Sequence, residues 1–326
     1  MPELPDLELY LHALRPRLVG QSLERVRIAS PFLIRTVEPP IDAAIGRTIL
    51  DLSRLGKRIV WRFAGDLFFV FHLMIAGRFQ WKEKGIKIPG RLGLAAFDLP
   101  SATLLLTEAG AKKRASLHVV SDANAVASLD PGGVEVLGLD FASFDTRLRS
   151  ENHTLKRALT DPGLFSGIGN AYSDEILHAA RLSPMQLTSR LEPAEARRLF
   201  DATQSVLAAW RDRLIAETGE SFPSKVTAFR DGMAAHGRFG KPCPVCGTPI
   251  QRIRYAANEA NYCPACQTGG RLLADRSLSR LLRDDWPRTL EELERRKTTR
   301  AAPSSHPEST APRGDRAHPP RRRRQP

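Results

Sequence analysis

The sequence predicts an α+β protein of several domains: an N-terminal helix with a β-sandwich, then a helical half that ends in a four-cysteine zinc finger. Three observations carry this. The first half breaks into short runs rich in Val, Ile, Leu and Phe, separated by Gly, Pro, Asp and Ser, as in a sandwich or barrel. The second half changes to apolar residues at helical spacing. All four cysteines fall in one short stretch as two C-x-x-C pairs.

Taken in order, residues 6–18 place Leu7, Tyr10, Leu11, Leu14 and Leu18 on one face of an amphipathic helix that Asp6 can N-cap behind Pro5. What precedes Asp6 then sits at a helix N-terminus. From Ser22 to Val120 come "RVRIA", "RTILDL", "KRIVWRF", "DLFFVFHLMI", "RFQW", "GLAAFDL", "TLLLT" and "ASLHVV", which complete an N-terminal domain over 1–120. Residues 121–140 contain "DPGG", lack periodicity and read as a linker.

A helical domain over 141–235 follows. It has short helices around 142–160 and 171–180, then a long one over Glu192–Thr218 with Leu199, Ala202, Val206, Trp210 and Leu214 in register. Between the short helices lies "LTDPGLFSGIGNAYSDEIL". Gly167 and Gly169 before a helical run put backbone amides at a helix start, which either hold a phosphate or simply make a turn. In the finger, 236–270, Cys243 and Cys246 are followed after sixteen residues by Cys263 and Cys266, the spacing of a four-thiolate zinc ribbon around a β-hairpin. A fold this small cannot bury a core, so one zinc is structural, and four thiolates leave it no open position for catalysis. Arg252, Arg254 and Lys241 make the finger basic, for DNA or for a hydrated surface.

Beyond the finger, 271–297 carries Leu272, Leu273, Leu278, Leu281, Leu282 and Trp286, with a second helix expected after Pro287. It packs back on the body or meets a protein partner. The last segment, 298–326, is rich in Pro, Ser and Arg and predicts disorder. The net charge of +13 is concentrated there: from Arg295 onward ten Lys/Arg face two acids, so eight of the net charges lie in this end. It serves either as a solubilising end or as a nonspecific arm for nucleic acid. No apolar run approaches the ~20 residues of a membrane span. No secretory signal begins the chain, and the cysteine usage suits a reducing compartment, so a bacterial cytoplasmic or nucleoid-associated monomer is expected.

An N-terminal "PELPDLE", a β-rich half, "GIGNAYSDEIL" and a four-cysteine finger, in that order, resemble the formamidopyrimidine-DNA glycosylase and endonuclease VIII family of base-excision repair enzymes over residues 2–268. The resemblance implies a helix–two-turn–helix in the helical domain and damaged DNA as partner. It also implies that loss of Met1 frees Pro2 as a nucleophile, which attacks C1′ of a damaged nucleotide and forms an iminium. A free α-amine titrates at about 7.7 to 8.0, and the adjacent helix end would lower that. Glu3 matches the acid that protonates the deoxyribose ring oxygen. Lys57 in "RLGKRIVW" matches a lysine that contacts the phosphate beside the lesion; Lys156 and Asn170 match residues that grip the DNA backbone, and Glu175 the acid of the same motif. The resemblance further implies DNA contacts at His72, in "HLMIAG", and at Arg238, which closes the segment before the finger.

The departures bear on substrate. Where the family carries an intercalating Met in "HLGMSG", this chain reads "HLMIAG", with Ile75 in the aligned place and Met74 one residue early. Where "DPRRFG" supplies an Arg and a Phe to fill the gap left by an extruded base, this chain reads "EAGAKKRAS", so that Lys112, Lys113 and Arg114 either hold phosphates or lie in solvent. The finger's usual arginine is Asn258, and the lesion-capping stretch 219–238 is shorter. The reading is a bifunctional DNA glycosylase and abasic-site lyase with altered lesion or strand preference. The alternatives are a noncatalytic damage-binding protein of the same fold and, further off, a zinc-ribbon protein of RNA or the ribosome.

Overall fold

The computed structural model describes residues 1–224, 226–255, 258–274 and 287–301. Eight antiparallel strands form two four-stranded sheets. One has the order β1(Arg25–Ile28), β6(Gly93–Asp98), β7(Ala102–Glu108), β5(Gly77–Glu83); the other has β2(Ile49–Leu55), β3(Arg58–Phe63), β4(Leu67–His72), β8(Ser116–Val120). Each of the eight apolar runs is a strand. Alternation along β3 and β4 sends Trp61, Phe63, Phe69 and Phe71 inward, where they meet Phe79 and Phe97 of the other sheet. Trp61 sits at the centre of this layer, 4.9 Å from Phe71 and 5.4 Å from Phe97 between ring centroids.

The run "DLFFVFHLMI" does not stay extended to its end. The strand stops at His72 because Leu73–Gly77 closes a tight turn, in which Met74 takes a left-handed backbone (φ 54°) and the Gly77 amide donates to the Leu73 carbonyl at 2.9 Å. A Cβ on Gly77 would lie 2.2 Å from that carbonyl oxygen, so only glycine closes it.

Helix α1 (Leu4–Leu18) begins two residues before the expected start. Asp6 is not its N-cap. Glu3 holds that place, and Asp6, three residues on, accepts from the Glu3 amide at 3.0 Å, the reciprocal half of a capping box. Pro5 suits the first turn because it has no amide to leave unpaired. Its buried face, Leu7, Tyr10, Leu11, Leu14 and Leu18, lies between the sandwich and the helical half.

Residues 121–140 do more than connect. They include α2 (Ala123–Ala127), N-capped by Asp122, and Val126 and Leu129 cover Val60, Phe68 and Val70 on the outer face of the second sheet. Arg54 of β2 then pins the two halves together: it donates to Glu8 of α1 at 3.1 Å, to the Ser166 hydroxyl at 3.1 Å, and to Glu135.

The expected helix over 142–160 divides into α3 (Phe141–Arg149) and α4 (Leu155–Thr160), because Thr154 caps a new helix start. After α5 (Asn170–Ala180), the long α6 (Pro193–Thr218) buries Leu199, Leu207, Trp210 and Leu214 against α5 and α1. The finger hairpin is β9 (Gln251–Tyr255) with β10 (Asn258–Tyr262), followed by α7 (Pro264–Thr268). The start of the extension lies on the finger: the Leu273 amide donates to the Tyr262 hydroxyl at 2.7 Å, and the Leu272 amide to the Arg288 carbonyl at 2.9 Å. A helix, α8 (Leu290–Ala301), follows Pro287 as expected. Leu278, Leu281, Leu282, Trp286 and the basic end lie outside the described residues. No described helix is long and apolar enough to cross a membrane.

Trp61 is fully buried, and its indole N–H has no partner. Trp61→Ala is therefore expected to cost about 3–5 kcal/mol in urea unfolding. Trp61→Phe, which also removes the orphan donor, should cost clearly less, because the phenyl ring refills much of the cavity that alanine leaves; equal losses for the two would contradict this account of the core.

Candidate functional site

The site forms where two helix starts meet. Leu4, the first residue of α1, donates its amide to the Gly167 carbonyl at 2.9 Å. The Glu3 side chain, 3% exposed, reaches the first turn of α5, where its carboxylate accepts from the amides of Gly169 (2.7 Å), Ala171 (2.8 Å) and Tyr172 (3.1 Å). This changes the reading of the glycine-rich turn. The amides that read as a phosphate cradle or a simple turn hold a carboxylate of the chain itself. The turn needs glycine for two reasons: Gly167 has φ +81°, with Leu4 against it, and a Cβ on Gly169 would lie 2.5 Å from Glu3 Cδ.

Burial pushes the Glu3 carboxyl above the usual range, while Lys57 and the amides of Ala171 and Tyr172 pull it back. The chain's α-amine, with Met1 in place, is held below its ordinary value, chiefly by burial. Glu3 and Asp6 oppose that shift, and Arg78 and Lys57 reinforce it. Pro2 is buried. Lys57 occupies the second position of the two-residue hairpin between β2 and β3; Gly56, at φ +59°, supplies the left-handed first position. Burial lowers its ammonium, Glu3 raises it and Lys156 lowers it, so these three side chains share one electrostatic neighbourhood.

Lys156 and Asn170 also come together, but through the backbone. The Lys156 ammonium donates to the Asn170 carbonyl at 2.6 Å and to Asp174 at 2.5 Å, which leaves it largely enclosed. Glu175 accepts from three successive amides, Ala234 at 2.7 Å, Ala235 at 2.9 Å and His236 at 2.8 Å, and so ties α5 to the segment that precedes the finger. Arg238 donates to the Pro242 carbonyl at 2.8 Å at the finger's entrance.

The turn after β4 borders the same neighbourhood, since Lys57 and the α-amine act on His72, and Arg78 acts on the α-amine. Ile75 is 59% exposed and Met74 half-buried, so Ile75 is the projecting apolar side chain. Burial, with help from Arg58 and Lys57, pushes His72 down to about 4, which makes it a neutral imidazole near pH 7. Lys112 and Arg114 are exposed on the β7–β8 loop; Lys113 is turned back onto the Glu108 carbonyl, and the buried Glu108 carboxylate accepts from the Arg114 amide at 2.8 Å.

The four cysteines meet. Their Sγ atoms all lie within 4.8 Å of one another, with Cys246 to Cys263 at 3.4 Å and Cys243 to Cys266 at 3.9 Å. Four thiolates at these separations fit one tetrahedral zinc, which is structural. Cys243 also lies 3.2 Å from His178 Nε2, on α5.

Sequence reasoning missed Asp174, Arg230, His236 and Asn261. Arg230 reaches Asp6 at 2.5 Å across 224 positions of sequence. Asp174, fully buried, joins Lys156 to His236 (2.8 Å) and Asn261 (3.0 Å). One signal was available: Asn170, Asp174 and His178 recur every four residues, which makes a polar stripe on a helix that is otherwise buried.

Residues 1–119 match the formamidopyrimidine-DNA glycosylase N-terminal domain, residues 133–212 the H2TH domain of the same enzymes, and residues 240–269 a zinc finger found in FPG and IleRS. The chain is 32% identical over 285 residues to formamidopyrimidine-DNA glycosylase of Symbiobacterium thermophilum, covering 82% of this chain and 89% of that one. It is 33% identical over 280 residues to that of Thermus thermophilus, covering 83% and 100%. Among solved structures, MutM (Fpg) from Thermus thermophilus superposes with a TM-score of 0.69 at 33% identity over 82% of this chain and 98% of that one. Lactococcus lactis Fpg, solved with DNA containing an abasic site, superposes at 0.72 and 23% identity, covering 82% and 99%, which is a likeness of fold.

The metal should be measurable apart from any activity. Purified protein is expected to hold one zinc per chain. Chelation, which withdraws on the order of 10 kcal/mol of folding free energy from such a module, should expose the amides of 240–269 to hydrogen exchange and leave the two sheets protected. A finger that stays protected without metal would contradict the structural role.

Proposed function

Because the chain belongs to the formamidopyrimidine-DNA glycosylase family, we propose that it is a DNA glycosylase with abasic-site lyase activity whose nucleophile is the amine of Pro2, freed by removal of Met1. One observation carries this reading: Glu3, next to Pro2, is a buried carboxylate fixed by three amides of the α5 start. Burial raises the Glu3 carboxyl above its ordinary range, the direction needed by a group that hands a proton to the sugar. The burial that lowers the Met1 α-amine would favour the neutral, nucleophilic form of the Pro2 amine once Met1 is removed.

The chemistry follows. The Pro2 nitrogen attacks C1′, the glycosidic bond breaks, and its electron pair leaves on the base, which gains a proton. Glu3 protonates the ring oxygen, the sugar opens, and an iminium joins Pro2 to C1′. Loss of a C2′ proton expels the 3′-phosphate, and water then releases the enzyme. Lys57 and Asn170 grip the backbone beside the lesion, with Arg238 and neutral His72 at the margins. Lys156 acts through its hold on Asn170 and Asp174, and Ile75 is the side chain placed to enter the stack.

The altered loop argues for substrates that are easy to open. "EAGAKKRAS" lacks the Arg and Phe pair that would fill the gap left by an extruded base, and its exposed Lys112 and Arg114 are taken to meet phosphate instead. The unstacking cost of a few kcal/mol is then poorly offset in matched duplex.

Two outcomes are expected. Borohydride should trap the wild-type chain on abasic DNA through its N-terminus, and Pro2→Gly should lose most of that product while still binding. Gly169→Ala, which pushes a methyl into the Glu3 carboxylate, should slow trapping by about 100-fold or more, within the range of a general acid. Wild-type trapping by Pro2→Gly removes the mechanism.

In a side-by-side incision series, abasic or pyrimidine-type lesions in single-stranded, bubble or mismatched DNA should be processed at least as fast as in matched duplex. 8-Oxoguanine opposite cytosine should be poor. Rapid, preferential removal of 8-oxoguanine from matched duplex would overturn the substrate reading and leave the lyase chemistry standing.

A further inference from the structure

Asp174 has no solvent exposure, and its carboxylate is shared by three parts of the chain that are remote in sequence. On Oδ1 it holds the ammonium of Lys156, from α4, at 2.5 Å. On Oδ2 it takes His236 Nδ1 at 2.8 Å, from the segment after α6, and the amide nitrogen of Asn261, from the finger strand β10, at 3.0 Å. The finger side of this joint is specific. Asn261 is 1% exposed, its amide nitrogen faces two carboxylates, Asp174 and Glu259 (3.3 Å), and its carbonyl oxygen is buried with no partner. The amide orientation is therefore set by the acids and not by the finger's own packing. A side chain that strands one of its own polar atoms to reach a carboxylate across a module boundary is there for the contact.

The other side leads to the reaction site. Lys156 also holds the carbonyl of Asn170, the first residue of the helix whose amides carry Glu3, and it shares the field at Lys57. A finger strand is thus joined to the α5 start through two side chains.

We propose that Asp174 is a positioning residue that couples the metal-held finger to the α5 N-terminus, so that finger assembly, through Lys156, sets the grip of Asn170 on DNA in addition to whatever the finger itself touches. The proposal rests on the reading of this site as a DNA-repair centre. Three groups face the Asp174 carboxylate, Lys156, His236 and Asn261, and each can donate to it; two are or can become cations, so the carboxylate is the shared acceptor that arranges them.

The test uses the full zinc-loaded chain. Asp174→Asn removes the shared acceptor charge, and Asn261→Leu removes only the finger's end of the link. Affinity for a duplex with an abasic site and the single-turnover trapping rate at saturating DNA are measured for both variants and for the double variant, with zinc content determined on each. Each single variant is expected to weaken binding about tenfold, within the usual range of coupling between sites, with zinc retained and the saturated trapping rate within about threefold of wild type. The double variant should be no weaker than Asp174→Asn alone, because both changes cut one link.

Unchanged affinity for Asn261→Leu, or losses that multiply in the double variant, would overturn the proposal. Should Asp174→Asn not fold, Asn261→Leu alone decides through hydrogen exchange of the first turn of α5: faster exchange supports the coupling, and wild-type exchange refutes it. If the wild-type chain binds DNA but traps none, the lyase reading has failed, while the affinity and exchange arms still report on Asp174.

Discussion

The contact between Glu3 and the first amides of α5 organises the rest. A helix start leaves amides unpaired and carries partial positive charge, and a buried carboxylate needs donors. Each solves the other's problem, and because Glu3 caps one helix while its carboxylate caps another, the joint fixes two helices and the two halves of the chain at once. The sandwich side adds Arg54, which reaches α1, the 121–140 stretch and Ser166 together. Stability and proposed chemistry therefore use the same atoms. No side chain fits at Gly169, and a carboxylate one methylene shorter than Glu3 would fall short of the amides it now meets.

Elements were legible where a local pattern determines them. The eight strands follow from β-branched and aromatic runs bounded by turn residues, and the zinc site from two C-x-x-C pairs, since both signals lie within a few residues of what they build. What failed to show was carried by contacts between distant residues. The Gly167–Gly169 turn reads as a plain turn or as a phosphate cradle, and only the fold reveals that Glu3, 166 positions away from Gly169, already occupies it. Asp6 reads as a cap because an acid before an amphipathic run usually is one; the true start is earlier because Glu3 has a better acceptor role than solvent would give it. Asp174 has partners 18, 62 and 87 positions away, and nothing local announces them.

The turn after β4 shows a sequence rule overridden. Met74 adopts a left-handed backbone that an L-residue with a long side chain reaches only at a cost of about 1–2 kcal/mol. The cost is imposed from both sides. β4 must end at His72 to keep its register with β8, and Gly77 must bring its amide to Leu73 to begin β5, so the four residues between have one path available. Arg78 then caps the turn, donating to the Gly77 carbonyl at 2.6 Å and to the Ile75 carbonyl at 3.1 Å. An apolar side chain held outward by a strained, clamped turn is presented rather than merely left exposed, and strain of this kind concentrates at functional sites.

Charge placement completes the picture. Among the described residues, six acids are buried, Glu3, Asp6, Asp98, Glu108, Asp174 and Glu175, and no lysine or arginine is. Three of the six, Glu3, Glu108 and Glu175, are satisfied by backbone amides, which are neutral and consume no cation. This part of the negative charge is thereby drawn inward, half of it screened by backbone dipoles, while the cations stay at or near the surface. A net charge counted over the whole chain understates what an approaching polyanion meets to the extent of these six acids, which lie beneath the surface and are already engaged. The arrangement that fixes α1, α5 and the finger to one another is thus also one that leaves the outside of the molecule more basic than its composition.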